Sequence, residues 1–147
     1  MPLPHPSEID AAYVVKRLEE AGATLMALPP NGPQLGQRVQ TYGYTPELTE
    51  MAKAAGNERG IARPPVPDAR AITSMDEAYA WLSVIANRTY RRIVAVRSLT
   101  EHHTGEPVFS WQRIGAKVGA SHTACRQWHA KGIGLIVRHL VFIGCAA

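Results

Sequence analysis

The chain has 147 residues and a mass of 16.0 kDa, which is the size of one ordinary domain. Hydrophobic residues make up 46% and charged residues 19%, close to globular averages, which argues against a disordered chain. With only two cysteines, Cys125 and Cys145, the sequence is not typical of a small secreted domain that is stabilised by disulfide bonds. No secretory signal is visible, and the longest apolar stretch, residues 133–143, is too short to span a bilayer. These features predict a cytoplasmic protein without a membrane partner.

Charge is distributed unevenly along the sequence. The whole chain has 16 basic and 12 acidic residues, which gives a formal net charge of +4. Residues 1–72 have a net charge of −1, whereas residues 73–147 have +5, and no acidic residue lies beyond Glu106. A basic half joined to a nearly neutral half favours a polyanionic partner for the carboxy-terminal half, although mild basicity also occurs in proteins without such a partner.

Residues 7–28 are predicted to form an amphipathic helix that begins at Ser7 as its N-cap. Val14, Leu18 and Leu25 follow helical spacing along one face, and the pair of prolines after this stretch ends the helix. Because the apolar stripe covers only about two heptads, we expect it to pack on its own domain rather than in a coiled coil.

Residues 29–72 are predicted to form an irregular connector, because glycine and proline recur there and long apolar periodicity is missing. One short helix is predicted within it, at about residues 45–55. After the connector, Ser74 and Glu77 form a capping-box pattern at the start of a helical stretch. The length of that stretch predicts one long helix or two helices that meet near Asn87.

The most informative stretch is residues 109–140. Ser110 can cap a short helix, Gly119 suits the left-handed residue that ends it, and Ser121 can cap the next helix. A short helix, a turn with glycine and a second helix make a helix-turn-helix, and Gly115 is small where the two helices approach. The apolar positions expected to form their shared core are Ile114, Val118, Cys125 and Trp128.

The opposite face of the second predicted helix carries polar side chains suited to the DNA major groove. Arginine can bind guanine, glutamine can pair with adenine, and serine or threonine can bond either base. The candidates for reading bases are Ser121, His122, Thr123, Arg126 and Gln127. Other basic side chains are candidates for phosphate contacts, which position a protein without reading sequence. They are Arg113, Lys117, Lys131, Arg138, Arg91 and Arg92.

Several short elements occur in a fixed order between residues 72 and 140. They are Trp81-Leu82, Arg91-Arg92 through Val96-Arg97, Ser110-Trp111 with Ile114, Gly119-Ala120-Ser121 and Arg126-Gln127-Trp128. This order resembles an uncharacterised family of small bacterial and prophage proteins, and the resemblance implies a helix-turn-helix fold and DNA binding without a known reaction. The loop at residues 100–108 is longer than that pattern expects, and Gly132 and Gly134 are expected to weaken the last helix.

These residues also allow other interpretations. His122, Cys125 and His129 have a spacing that could ligate zinc, with Cys145 or the histidines at 102–103 as a fourth ligand. We favour Cys125 as a core residue, and no metal or other cofactor is predicted. The tryptophans are expected in the core before any role in stacking on bases. The arginine cluster Arg88, Arg91, Arg92 and Arg97 fits either a contact with the DNA backbone or a solvated face. No catalytic motif occurs, so no enzymatic activity is predicted.

We therefore predict a mainly α protein with an N-terminal helix (1–28), a Pro/Gly-rich connector (29–72) and a helix-turn-helix domain (73–147). The predicted function is binding of double-stranded DNA through the helix-turn-helix (residues 109–140), as a transcription regulator or as a phage or prophage DNA-binding protein. A small terminase-like packaging subunit and a protein-interaction adaptor with a structural helix-turn-helix are the alternatives. We also expect a homo-oligomer, with the N-terminal helix and the apolar tail at 140–147 as candidate contacts, and a protein partner for the N-terminal half is an open option.

Overall fold

The computed structural model describes residues 4–28 and 65–146, with side chains up to residue 144. Within these ranges the chain is mainly helical and has no β-strand, which confirms the predicted fold class; the short helix expected at 45–55 lies outside the described residues. In chain order, the α-helices are α1 (Ala11–Ala27), α2 (Ala69–Ala80), α3 (Arg88–Ser98), α4 (Trp111–Val118) and α5 (His122–Ala146). No helix in the described part of the chain is long and apolar enough to cross a membrane.

Helix α1 begins later than the sequence predicts. Its N-cap is Asp10, whose carboxylate accepts a 2.8 Å hydrogen bond from the backbone amide of Tyr13. The predicted N-cap at Ser7 is wrong, because Ser7 lies in a separate 3-10 turn, Pro6–Glu8. Ile9 follows that turn with extended backbone and buries its side chain, so the helix cannot start before it.

Helix α2 also begins at an aspartate, Asp68, which the sequence did not predict as the N-cap. The carboxylate of Asp68 accepts a 2.8 Å hydrogen bond from the amide of Ala71, whereas the predicted capping residues Ser74 and Glu77 both lie inside the helix. A 3-10 turn, Trp81–Val84, follows α2. The amide oxygen of Asn87 then accepts from two backbone amides at the start of α3. The alternative of two helices that meet near Asn87 is therefore confirmed.

The apolar stripe of α1 packs into the same hydrophobic core as the carboxy-terminal helices. Val14, Leu18 and Leu25 are at most 4% exposed, and α1 lies against α2, α3 and α5. The expectation that the stripe packs on its own domain is confirmed. Because the stripe is buried, it is not available as a contact with a second copy.

The closest approach in the core lies where α1 crosses the end of α3. A β-carbon at Gly22 would overlap the carbonyl oxygen of Ser98 and would lie 3.0 Å from the Cα of Leu99. Beside this crossing, the hydroxyl of Thr100 donates a 2.8 Å hydrogen bond to the carbonyl of Glu19. Two backbones therefore meet here with no side chain between them.

Helix α5 is longer than predicted, since it continues beyond residue 140 to Ala146. Gly132 does not interrupt the helix. A β-carbon at this position would come within 2.8 Å of the Cγ2 of Val94 in α3. The glycine that lowers helix propensity thus allows α5 to cross α3 closely. Gly134 has no such constraint, since a β-carbon there would meet no atom within 4 Å.

We expect Gly22→Ala and Gly134→Ala to change stability in opposite directions. Gly22→Ala should lower the free energy of unfolding by about 1–3 kcal/mol or more, because α1 must move away from α3. Gly134→Ala should raise it by roughly 0.5–1 kcal/mol, because alanine favours a helix interior. Urea unfolding followed by circular dichroism measures both, and equal effects of the two substitutions would contradict the close crossing at Gly22.

Candidate nucleic-acid interface

Helices α4 and α5 are joined by a three-residue turn, and local hydrogen bonds fix its ends. The hydroxyl of Ser110 accepts a 3.2 Å hydrogen bond from the amide of Arg113 and caps α4. The hydroxyl of Ser121 accepts a 3.1 Å hydrogen bond from the amide of Ala124 at the start of α5. Gly119 has φ +75°, the left-handed conformation that favours glycine. The three predicted roles at these positions are confirmed.

The turn folds back onto α4 at Gly115. The carbonyl of Gly115 accepts hydrogen bonds from the amides of Gly119 and Ala120, at 2.8 and 3.0 Å. A β-carbon at Gly115 would lie 2.5 Å from the carbonyl oxygen of Ala120, so a side chain there would push the turn away. Ile114 and Cys125 are buried beside the turn, which confirms their predicted core positions.

All the candidates for reading bases are exposed. They are Ser121, His122, Thr123, Arg126 and Gln127. They occupy the N-cap and the first two turns of α5, so the structure brings them together on one surface patch. Cys125, among them in sequence, points into the core on the opposite side of the helix. This patch is called the α5 entry surface below.

Four of the phosphate candidates are exposed on α4 and α5. Arg113 and Lys117 flank the ring of Phe109, with 4.8 Å and 5.6 Å between their charged groups and the ring centroid. Lys131 lies one turn beyond the α5 entry surface. Arg138 is twelve residues after Arg126, which is about 18 Å along the helix axis, so the structure separates it from the other candidates.

The two phosphate candidates on α3 are half-buried. The Nε of Arg91 donates a 2.9 Å hydrogen bond to the carbonyl of Ile85, which ties this side chain to the turn before α3. On the same helix, the ring of Tyr90 stacks on Trp128 of α5 with 5.9 Å between centroids. Arg91 therefore has a structural contact that the sequence did not predict, while Arg92 is half-buried beside it.

Arg97 belongs to the arginine cluster for which the sequence left a DNA contact and a solvated face open, and the structure gives it contacts that the sequence did not predict. Its guanidinium lies 4.1 Å from the ring centroid of Trp111 and donates a 2.9 Å hydrogen bond to the carbonyl of Phe109. Burial lowers the pKa of Arg97, the nearby Glu19 raises it and the nearby Arg126 lowers it. The partners of Arg97 lie more than ten positions away in the chain, so no local pattern could reveal these contacts.

His129 and Cys125 do not form a metal site with His122. Cys125 is fully buried, and burial raises the pKa of its thiol. His129 packs against Trp111 with 5.2 Å between centroids, whereas His122 is exposed. No group of three potential metal ligands is close together in residues 4–28 and 65–144; the side chain of Cys145 lies outside the described part. The three tryptophans pack against the core, as predicted.

Charge is more strongly separated in the described residues than in the whole sequence. The residues at 4–28 and 65–80, which include α1 and α2, contain three basic and seven acidic side chains. Residues 81–144, which include α3, α4 and α5, contain nine basic and two acidic side chains, and both acidic ones lie in the loop between α3 and α4. The α5 entry surface therefore belongs to a strongly basic part of the molecule.

The partly buried ring of His129 is expected to make folding sensitive to acid. Burial and the charge of Arg97 lower the pKa of His129 from 6.5 to about 4. The unfolded chain therefore binds more protons between these values, and stability should fall as the pH decreases from 6.5 to about 4, by up to about 3 kcal/mol.

Urea unfolding at several pH values tests this expectation. The His129→Gln variant should lose this part of the pH dependence, while His122→Gln, at an exposed position of the same helix, should keep it. The same pH dependence in wild type and His129→Gln would contradict the assignment.

Comparison with known proteins gives a family and no function. A family model described as a domain of unknown function, DUF6362, matches residues 27–136, which is most of the chain. It agrees with the resemblance to an uncharacterised family and begins further toward the amino terminus than residue 72. Neither the comparison with curated proteins nor that with solved structures gave a match. The chain therefore belongs to the DUF6362 family, whose function is unknown.

Proposed function

We propose that this protein binds duplex DNA with α4, the turn and α5 as a helix-turn-helix, and that the start of α5 enters the major groove. The observation that carries the proposal is the α5 entry surface, which gathers five exposed polar side chains opposite a buried apolar face. A helix of this kind fits the major groove, which is wide enough to admit it. No acidic side chain lies on α4 or α5 to repel phosphates.

Each part of the surface has a distinct chemical role in this proposal. Arg126 can donate two hydrogen bonds to one guanine, and Gln127 can bond the edge of adenine. Arg113 and Lys117 on α4, with Lys131 on α5, would contact phosphates on either side of the groove. Arg138 would add a more distant contact on the same helix.

The separation of charge supports one orientation of the protein on DNA. The exposed basic residues of α4 and of the first turns of α5 would face the phosphates, while the acidic excess of α1 and α2 would disfavour an approach with those helices in front. Such a charge distribution orients a protein as it approaches DNA, and it makes the binding affinity sensitive to salt.

Binding to DNA is tested by fluorescence anisotropy of a labelled mixed-sequence duplex across a salt series. The proposal requires affinity that falls steeply with salt, with a logarithmic slope of about −0.9 for each phosphate contact. Selection of a preferred site from random duplexes follows, and the genes near that site would separate transcription regulation from phage DNA packaging. No binding even at low salt would reject DNA binding and favour the protein-interaction adaptor.

Arg126→Ala should weaken binding to the selected site by about 1–3 kcal/mol and relax the preference at one base pair. Arg70→Ala is the matched control, because it removes one exposed arginine from α2, outside the proposed interface. Equal affinity of Arg126→Ala and wild type, with both proteins folded, would contradict the role of Arg126 in reading a base.

We also propose that the end of α5 joins two copies, so that a dimer contacts two half-sites. Phe142 is 73% exposed and Ile143 39% exposed, although both are large apolar side chains. An exposed apolar patch of this kind commonly marks a contact with another protein. Paired half-sites double the number of DNA contacts, as in many dimeric helix-turn-helix proteins.

Phe142→Asp should therefore shift the protein toward the monomer in sedimentation velocity and weaken binding to a two-half-site duplex. Val66→Asp is the control, since Val66 is 71% exposed just before α2, away from the end of α5. A wild-type protein that is monomeric over the whole concentration range would reject the dimer and leave the DNA-binding proposal in place.

A further inference from the structure

We propose that Arg97 is a pre-positioned phosphate ligand beside the α5 entry surface, a role that rests on the proposed DNA binding. It holds the phosphodiester next to the base that Arg126 reads. The ligand is a phosphodiester of the DNA backbone, which a planar guanidinium binds through two parallel hydrogen bonds.

The first argument is that Arg97 is held in place without using all of its donors. One face of the guanidinium lies over Trp111 at 4.1 Å, and Nη1 donates to the carbonyl of Phe109 at 2.9 Å. A guanidinium has five N–H groups, so these two contacts fix its plane and leave donors for another partner. A side chain that is already ordered loses less entropy when it binds a phosphate.

The second argument is the position of Arg97 relative to α5. The ring of Trp111, which lies against the guanidinium of Arg97, also packs against His129, with 5.2 Å between the ring centroids. His129 and Arg126 are three residues apart on α5 and therefore neighbours on the helix surface. Trp111 and His129 thus connect Arg97 of α3 to the side of α5 that carries Arg126.

The third argument is the charge around Arg97. Burial is the largest influence on the pKa of Arg97 and lowers it, Glu19 raises it, and Arg126 lowers it by less than Glu19 raises it. No carboxylate within the described residues forms an ion pair with either arginine. Burial and Arg126 both disfavour the charge on Arg97, and a phosphate bound to the remaining donors of its guanidinium would favour that charge.

The molecule contains a matched control for this proposal. Arg17 also lies over a tryptophan, with 5.1 Å to the ring centroid of Trp81, and it also donates to a backbone carbonyl, that of Ser74. It differs in that it forms an ion pair with Glu77 between α1 and α2, in the acidic part of the chain. The same substitution at the two arginines therefore removes similar contacts, and only one of them lies at the proposed interface.

The experiment compares Arg97→Met, Arg97→Lys and Arg17→Met in anisotropy titrations across a salt series, at a temperature where circular dichroism shows every variant folded. Arg97→Met should reduce the magnitude of the logarithmic salt slope by about 0.9. Arg97→Lys should keep the slope but bind more weakly, since lysine keeps the charge and lacks the planar fork. Arg17→Met should keep the wild-type slope.

A lower affinity of Arg97→Met with an unchanged salt slope would overturn the proposal, because Arg97 would then only hold α4 in place. A wild-type protein that does not bind DNA would reject the proposed function, and this role of Arg97 with it.

The free protein gives a measurement that does not depend on DNA. Arg126→Gln should raise the melting temperature at low ionic strength, because it removes the repulsion with Arg97, and added salt should diminish the increase. A melting temperature that is lowered or unchanged by Arg126→Gln at low ionic strength would reject the neighbouring pair of cations, whatever the result with DNA.

Discussion

Close contact with α3 is the constraint on which the rest of the structure depends. Helix α1 meets the end of α3 backbone to backbone at Gly22, and α5 crosses α3 at Gly132, where the nearest neighbour is the side chain of Val94. Four consecutive residues of α3, 93–96, are buried, so the middle of this helix is surrounded by other elements, whereas its first two residues are exposed. The position of α5, and with it the α5 entry surface, therefore depends on buried contacts with α3 that are not part of that surface.

Polar groups at the end of α3 have partners within the core. The hydroxyl of Ser98 lies 3.0 Å from the hydroxyl of Tyr79 and donates to the carbonyl of Ala95 at 2.6 Å. Burial raises the pKa of Tyr79 well above its ordinary value, so the phenol stays neutral and can keep this hydrogen bond. The hydrogen bonds satisfy groups that would otherwise be costly to bury, and they lie beside the crossing at Gly22.

The sequence predicted best where structure depends on neighbours in the chain. Ser110, Gly119 and Ser121 were assigned correctly because a cap or a left-handed turn needs a particular residue at one position and contacts only three or four positions away. The same rules gave the wrong N-caps for α1 and α2. They favoured Ser7 and Ser74, whereas the N-caps in the structure are Asp10 and Asp68. Burial of Ile9 decided the first case, and that burial depends on tertiary packing.

The contacts of Arg97 could not be predicted, because they join residues on α3, the following loop and α4 through folding. The same limit applies to the crossings at Gly22 and Gly132. A glycine inside a helical pattern signals lower helix propensity, and only the folded chain shows the neighbour that requires it. Most of the α5 entry surface could be predicted, because helical periodicity separates residues 122, 123, 126 and 127 from the buried Cys125, and Ser121 joins them as the N-cap.

Each of the three tryptophans occupies a different junction between helices. Trp81 packs beside Tyr13 and Arg17 of α1, Trp111 beside Arg97 of α3, and Trp128 on Tyr90 of α3 from its position in α5. The molecule thus carries a separate intrinsic fluorophore at α1–α2, at α3–α4 and at α3–α5. Variants that keep one tryptophan at a time would resolve the order in which these junctions open during unfolding, without an added label.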